Sequence, residues 1–460
     1  MGEALSGGAE LSVREVGCRL RVQSYDAERS DHHFFITLLQ FASTMKSSRL
    51  PRIALRVVSD ARVIFVVAVI ARVQVLFQLL PAKAWTYFYR YNEPSHIAWA
   101  LASGYGYSAP WPNTPVTPTA QQPPLYPMML AGIFKLAGIY SYRALWIAGG
   151  INAIVCAITA VLILRIGTRS FGVLTASLAA WVWSCWLYEA VSTVRLWESS
   201  LAALQLTIGL LMLPELARSL RPWRWLAFGA LVGISALTNT TLLGVFPLFW
   251  LWLWIVYRRQ GRSCNKMLLT SVAVCALTLL PWTIRNYATF HRIIPVRDNF
   301  GLELWVGIEL GPGKPGVALT RFFPVDFPLS DPTEYNRLGE LAFMESRLRL
   351  ALNFIRQHPY EYIGFVKSRL IRYWTEPEDT VWPEVSLLAW MGAFLALKRK
   401  GLDAMPYAIV LVMFPLVYYI THTFPTYRYP MEPVMLMLAS YTGVSLAERL
   451  GDLRRQSRDS

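Results

Sequence analysis

Long hydrophobic runs separated by short basic connections recur along most of this chain. An α-helix crosses the hydrocarbon core of a bilayer in about 17 to 25 apolar residues and pairs its own backbone polar groups, as lipid requires. Ten runs approach or reach that length: 60–82, 143–165, 170–188, 197–213, 225–240, 242–257, 267–283, 385–397, 405–423 and 430–447. The pattern therefore predicts an all-α integral membrane protein with about ten transmembrane helices.

Two longer segments, 83–142 and 284–384, interrupt this series. Their apolar stretches are too short or too amphipathic to span, namely 91–103 and 128–138 in the first segment and 332–356 in the second. Amphipathic helices of this kind lie in the membrane interface with one face toward lipid. We therefore expect interfacial helices in both long segments.

The basic residues indicate which side of the membrane each connection faces, because cytoplasmic connections carry an excess of Lys and Arg. With a cytoplasmic N-terminus, every short inside connection is basic: Arg165 and Arg169, then Arg218, Arg221 and Arg224, then Arg258, Arg259, Arg262 and Lys266, then Lys398, Arg399 and Lys400, with Arg454 and Arg455 after the last run. This orientation predicts two cytoplasmic termini and two outer segments in a multi-pass protein of the plasma (inner) membrane.

The predicted organisation follows from the runs and their orientation. It comprises a partly disordered cytoplasmic tail over 1–59, a first transmembrane helix over 60–82, an outer loop over 83–142, transmembrane helices over 143–283, a second outer loop over 284–384, transmembrane helices over 385–447 and a cytoplasmic tail over 448–460. Residues 1–44 are polar and lack the order of a signal peptide. A basic flank opens at Met45, so a translation start at Met45 is a second hypothesis for this end.

Composition agrees with lipid as the solvent for much of the chain. Of 460 residues, 54% are hydrophobic and 16% are charged, and the mean hydropathy is +0.35. The net charge of +15 does not indicate nucleic acid, because the basic residues lie in short clusters between apolar runs. The five cysteines are scattered without a C-x-x-C spacing, so neither a disulfide framework nor a zinc site is indicated.

Ionisable residues at the predicted outer face are the candidates for chemistry, because a charge beside hydrocarbon is costly. Glu93 lies near the start of the stretch 91–103, where its side chain either faces inward or complements the dipole of a helix N-terminus. Glu198 is a second acid at an outer helix end. Basic residues on this side either bind an anionic group or extend to lipid headgroups; they are Lys83, Arg90, Arg285, Arg297, Arg321 and Arg428.

His422 lies at the outer end of a predicted span, where a lone histidine is usually structural. No second His, Cys or acid follows at helical ligand spacing, so no metal site is expected. The sequence also lacks a nucleophile elbow, a phosphate-binding loop and a dinucleotide fingerprint in a plausible context.

Several short motifs occur in a fixed order on the predicted outer side. An acidic residue follows the first span, and PPLYP at 123–127, PWTIRNY at 281–287, NFGLELWVG at 299–307 and a final segment at 422–430 come after it. Together these motifs resemble the GT-C membrane glycosyltransferases, in particular the family 39-like group that contains protein O-mannosyltransferases and the lipid A aminoarabinose transferase.

The resemblance implies inverting transfer of a sugar from a polyprenyl-phosphate donor to a lipid, glycan or protein acceptor, without metal or cofactor. It makes 83–142 the catalytic loop and Glu93 the general base, since Asn92 stands where the family often has an aspartate. It also implies a set of substrate-binding residues: Arg285, Arg428, Lys83, Arg297, Tyr126 and Glu198.

Two other classes of function fit parts of the pattern. A secondary transporter or lipid flippase places ionisable groups near the bilayer midplane, and here Arg62 and Arg72 fall within the first run. A catalytically inactive, lipid-binding member of the family is the third hypothesis, because of Asn92.

Overall fold

The computed structural model describes residues 56–79, 93–108, 115–186, 196–312, 332–375 and 382–459. In these ranges the chain is almost entirely helical, with one isolated β-bridge between Ser108 and Pro118. The first helices are α1 (Ala61–Leu79), α2 (Glu93–Ala102), α3 (Leu125–Ala137), α4 (Tyr142–Phe171), α5 (Val173–Cys185), α6 (Ser199–Leu216), α7 (Pro222–Ala236), α8 (Phe246–Arg259) and α9 (Asn265–Phe290). They are followed by α10 (Phe300–Leu310), α11 (Pro332–Leu338), α12 (Glu340–Gln357), α13 (Pro359–Thr375), α14 (Trp382–Lys400), α15 (Met405–Met413), α16 (Leu416–Ile420) and α17 (Glu432–Asp459).

The predicted apolar runs coincide with helices or with pairs of consecutive helices. Among the described residues, six stretches are long and apolar enough to cross a membrane: Ala61–Gln78, Tyr142–Phe171, Ser199–Leu216, Thr240–Arg259, Asn265–Phe290 and Pro383–Ile420. The helices α3 and α5 are apolar but have only 13 residues each. The chain is therefore an all-α membrane protein, as predicted, while the count of ten spans and the loop boundaries stay predictions.

The spanning helices share one extended hydrophobic core. Helix α4 packs against α1, α5 and α6, and α17 packs against α5 and α14. Helix α9 lies along α7 and buries little of its own apolar surface, so its remaining surface is suited to contact lipid. A second hydrophobic cluster is formed by the end of α1, the helices α2 and α3 and the start of α4.

Arg72 is a fully buried charge inside the first spanning helix. Its guanidinium donates hydrogen bonds to the carbonyl oxygens of Trp183 and Ser184, both at 2.7 Å, in the last turn of α5. A cation at the negative end of a helix stabilises that end. Arg72 therefore joins α1 to α5, and this structural role accounts for one of the two charges that had favoured transport; the other, Arg62, is exposed.

The described parts of the segments 83–142 and 284–384 contain amphipathic helices, as predicted. The helix expected over 332–356 is instead two helices, α11 and α12, separated at Gly339. Gly339 has a φ of 76°, a conformation that glycine adopts without strain and that interrupts an α-helix. Helix α13 follows directly, and it contacts α16 at the end of a spanning stretch.

Candidate active site

Glu93 is the first residue of α2, a short helix that packs on α3. Its carboxylate accepts a hydrogen bond from the side-chain amide of Gln122. Gln122 is buried, whereas Glu93 keeps part of its surface accessible. The carboxylate is thus oriented by a buried neighbour within a residue that is itself only partly buried.

The segment that carries Gln122 is held in place by backbone contacts. Arg285 in α9 donates to the carbonyl oxygens of Thr119 and Tyr107, both at 2.7 Å. The Tyr107 hydroxyl in turn donates to the Gln122 carbonyl oxygen at 2.7 Å. These bonds fix the position of Gln122 and, through it, the orientation of the Glu93 carboxylate.

A buried carboxylate from the second outer segment holds the same stretch. Glu340, the first residue of α12, accepts a hydrogen bond from the backbone N–H of Ala120 at 2.6 Å. Its other oxygen accepts from the Gln121 side chain at 3.3 Å. Burial raises the pKa of Glu340 to about 7, against the lowering effect of these donors. The two outer segments therefore meet at residues 119–122.

A second group of polar contacts lies around the start of α10. The N–H groups of the Arg297 guanidinium donate to Asn299 Oδ1 at 2.6 Å and to Glu303 Oε1 at 3.3 Å. The Asn299 amide also donates to Glu303 Oε1 at 2.6 Å. Since Arg297 and Glu303 are each about one-quarter exposed, this ion pair lies at an accessible surface.

The charges of Glu303 and Arg297 act on the Glu93 carboxyl group. Burial raises the pKa of the Glu93 carboxyl to about 8, and the negative charge of Glu303 adds to the rise. The Gln122 hydrogen bond and the positive charge of Arg297 act in the opposite direction. Glu93 therefore has the proton affinity of a group that can accept a proton near neutral pH.

Glu198 is the residue immediately before α6, and it is buried. Its Oε1 accepts a hydrogen bond from the Asn239 side chain at 3.2 Å. Burial raises the pKa of the Glu198 carboxyl to about 7, and Arg297 lowers it. Because Glu198 also contributes to the pKa of Glu93, the structure brings both predicted acids and Arg297 into one neighbourhood.

The other predicted site residues have different surroundings. Tyr126 is buried in α3, and the Glu198 charge influences its hydroxyl. Arg428 is buried, donates to the Tyr373 carbonyl oxygen at 2.9 Å and has its Nε 3.7 Å from Glu432 Oε1. The partners of Arg285 and Arg428 are therefore different, and Lys83 lies outside the described residues.

The contacts of Arg285 predict a strong effect on stability. Arg285→Gln removes two charged hydrogen bonds to backbone carbonyls, each worth about 1.5 to 3 kcal/mol, and is expected to lower the midpoint of thermal unfolding in detergent. The matched control is Arg292→Gln, since Arg292 is an exposed arginine 3.5 Å from Glu345 and exposed pairs contribute little. Equal unfolding midpoints for the two variants would contradict this role.

Three residues of the site escaped sequence reasoning. Glu303 lies within the NFGLELWVG motif but carries no distinguishing spacing of its own. Gln122 directly precedes the PPLYP motif, and a glutamine there has no signature. His422, interpreted from sequence as structural, is 3.5 Å from Glu303 Oε2 through its Nδ1 atom.

Comparison with known proteins gives a likeness of fold. No protein-family model and no curated protein matches this sequence. The archaeal oligosaccharyltransferase AglB from Archaeoglobus fulgidus, in complex with an inhibitory peptide and a dolichol-phosphate, matches with a TM-score of 0.51 and 13% identity over 87% of this chain and 52% of AglB. The A. fulgidus oligosaccharyltransferase tethered with an acceptor peptide containing the NVT sequon matches at 0.50, with 15% identity over 82% of this chain and 49% of that one.

ArnT from Cupriavidus metallidurans, bound to undecaprenyl phosphate, has a TM-score of 0.42 and 15% identity over 80% of this chain and 59% of ArnT. This chain spans about half the length of the oligosaccharyltransferase. The likeness to the oligosaccharyltransferase shows the fold, and it agrees with the all-α membrane architecture predicted from sequence.

Proposed function

We propose that this chain is an inverting glycosyltransferase that moves a sugar from a polyprenyl-phosphate donor to an acceptor at the outer face of the plasma membrane. The observation that carries the proposal is the placement of Glu93, a carboxylate oriented by Gln122, raised in pKa by burial and influenced by Arg297. A base and a nearby cation are the two groups that this reaction needs. The fold likeness to AglB, whose structure contains a dolichol-phosphate, supports a lipid phosphate as ligand.

The reaction follows from the chemistry of the donor. The acceptor hydroxyl attacks the anomeric carbon of the sugar from the side opposite the phosphate, and its proton passes to Glu93. The bond between the anomeric carbon and the phosphate oxygen breaks, and the lipid phosphate leaves with the electron pair. Attack from the opposite side inverts the configuration of the anomeric carbon. The leaving phosphate needs no proton, so one carboxylate is sufficient.

Arg297 is the cation that we assign to the leaving phosphate. Its planar guanidinium matches a phosphate with paired hydrogen bonds, and it is an electrostatic neighbour of Glu93 and Glu198. A fixed positive charge stabilises negative charge that grows in the transition state. Further contacts to the donor stay predictions for four residues: Lys83, Arg285, Arg428 and Tyr126. Glu198 is the alternative candidate for the base.

A single assay distinguishes transfer from transport. The purified protein in liposomes is given a polyprenyl-phosphate donor carrying a radiolabelled sugar, together with candidate lipid, glycan and peptide acceptors. Label appearing on an acceptor supports the transferase, whereas movement of intact donor across the bilayer without transfer supports a flippase. Donor binding with neither outcome supports the inactive, lipid-binding hypothesis.

The proposed orientation is tested by cysteine labelling. Gly313→Cys, introduced without the native cysteines, is expected to react with an impermeant maleimide added from outside, because only that orientation places the basic connections in the cytoplasm. Arg259→Cys, at the exposed last residue of α8, is the matched control and is expected to react from the cytoplasmic side alone. Labelling of residue 313 solely from the cytoplasm would refute the topology.

A further inference from the structure

Glu303, His422 and Tyr427 form a chain of polar contacts beside Glu93. His422 is 6% exposed. Its Nδ1 atom lies 3.4 Å from the Glu303 carbonyl oxygen and 3.5 Å from Glu303 Oε2. Its Nε2 atom lies 3.0 Å from the Tyr427 hydroxyl oxygen. One imidazole therefore connects an acid of the site to a phenol.

The neighbours of His422 define the direction of these bonds. Both Glu303 atoms that face Nδ1 are oxygens that accept hydrogen bonds, so Nδ1 carries the proton of the neutral ring. Burial lowers the pKa of His422, which favours the neutral ring. The Nε2 atom is then an acceptor, and the Tyr427 hydroxyl donates its hydrogen to it. The lone pairs of the Tyr427 oxygen are left to accept a hydrogen bond from elsewhere.

The two chain segments that carry this contact are locked together. A Cβ atom added at Gly307 in α10 would lie 1.8 Å from the Thr421 carbonyl oxygen, so only glycine allows this approach. Arg369 in α13 spans both segments, donating to the carbonyl oxygens of Gly307 and of Ile420, the latter at 3.0 Å. Arg369 is 3% exposed, so these bonds are shielded from water. The separation of Glu303 and His422 is therefore set by the fold.

Tyr427 itself lies at the edge of the site. It stacks on Tyr418 with ring centroids 4.7 Å apart, and the Tyr418 hydroxyl lies 3.0 Å from Thr241 Oγ1. Tyr427 keeps part of its surface accessible. The charges of Glu93 and Glu303 both act on its hydroxyl. The Tyr427 hydroxyl therefore lies within the electrostatic reach of both carboxylates.

Building on the proposed function, we propose that the Tyr427 oxygen accepts a hydrogen bond from a substrate hydroxyl, with His422 and Glu303 as positioning residues. The ligand chemistry is a hydroxyl group, which both the sugar of the donor and an alcohol acceptor carry. The hydrogen-bonded chain from Glu303 through His422 to Tyr427, here called the relay, orients the Tyr427 hydroxyl hydrogen away from the substrate. Tyr427 therefore favours a substrate group that donates a hydrogen bond over a group that can only accept one. Tyr427 thereby selects among substrates, while Glu93 takes the proton in the reaction.

The first test measures which nitrogen of His422 carries the proton, and it does not depend on sugar transfer. In protein labelled with ¹⁵N-histidine, the His422 resonances are expected to show a protonated Nδ1 and an unprotonated Nε2, with His422→Gln identifying them by their loss. Tyr427→Phe is expected to shift the Nε2 resonance, because it removes the hydrogen-bond donor. A protonated Nε2 in the neutral ring would overturn the relay.

The second test measures the effect of the proposed contact to substrate on kcat/KM. Tyr427→Phe is expected to lower kcat/KM about 5- to 10-fold, the effect of one hydrogen bond. His422→Gln is expected to have a similar effect, and the double variant should be within about twofold of either single variant, because the residues act as a unit. The substrate whose KM rises in Tyr427→Phe identifies the source of the hydroxyl, donor or acceptor.

The control is Tyr419→Phe, since the Tyr419 hydroxyl accepts a hydrogen bond from Trp374 Nε1 at 2.6 Å and takes no part in the relay. It is expected to retain normal kcat/KM. Normal kcat/KM in Tyr427→Phe, or effects of Tyr427→Phe and His422→Gln that multiply, would overturn the proposal. A wild-type protein that transfers no sugar would instead refute the proposed function, and the ¹⁵N measurement would still decide the relay.

Discussion

Replacing Glu93 by glutamine is expected to lower the turnover of sugar transfer about 10²- to 10⁴-fold, the range attributed to positioned acid-base catalysis. Glutamine has nearly the size of glutamate and still meets the Gln122 side chain, but it cannot accept the proton of the acceptor hydroxyl. Binding of the polyprenyl-phosphate donor and insertion into the membrane are expected to stay nearly unchanged. The measurement is transfer of labelled sugar at matched protein amounts, together with donor binding.

The pH dependence supplies a second readout for Glu93. A base works only when it is deprotonated, and burial raises the pKa of Glu93 to about 8. The rate is therefore expected to rise with pH through about 8, and the variant should lose this rise. Glu309→Gln, an exposed glutamate on α10, is the matched control. Near-normal turnover in Glu93→Gln would remove Glu93 from the mechanism, and the same loss in Glu198→Gln alone would assign the role to Glu198.

Replacing Arg297 by glutamine is expected to lower kcat about 10²- to 10³-fold, the effect of removing one group that stabilises transition-state charge. The substitution removes the positive charge that we assign to the leaving phosphate, together with the ion pair to Glu303. Arg297→Lys keeps the charge but loses the planar pair of hydrogen-bond donors. Its activity is therefore expected to lie between that of the wild-type protein and that of Arg297→Gln. Turnover and donor affinity of the three proteins are measured in the same liposomes.

A purely structural role for Arg297 is distinguished by pH. The Arg297 charge lowers the pKa of Glu93, so its removal should raise that pKa and move the rise in rate to higher pH. Arg297→Lys should leave the rise near its original position. A lower rate with an unchanged pH dependence in Arg297→Gln would count against the electrostatic role.

The helical architecture could be predicted because lipid imposes a simple rule on sequence. A spanning helix needs a long apolar run, and the runs at 143–165 and 267–283 appear within α4 and α9. The break at Gly339 was not anticipated, because the amphipathic pattern continues across it and nothing but the backbone conformation interrupts the helix. The helices α10 and α13 were not separated from the rest of the segment 284–384 in the sequence prediction.

The candidate site was predicted in part, and the missing part has a physical reason. Glu93, Glu198 and Arg297 were found because charges at an outer membrane face are rare and costly. The pairing of Glu303 with His422 joins residues separated by 119 positions, and one sequence contains no signal of such a contact. Arg285 was singled out as an unusual cation, but its contacts to Thr119 and Tyr107 depend on the path of the segment 83–142.

The bond between Arg72 and the end of α5 bears on how the protein is made. An arginine near the centre of a spanning helix costs about 2.5 to 3.5 kcal/mol to insert, and its carbonyl partners come 111 and 112 residues later in the chain. At roughly 5 to 20 residues per second, the first helix waits roughly 5 to 20 s for them to be synthesised. Docking of α1 onto α5 through Arg72 therefore has to wait until the end of α5 has been synthesised.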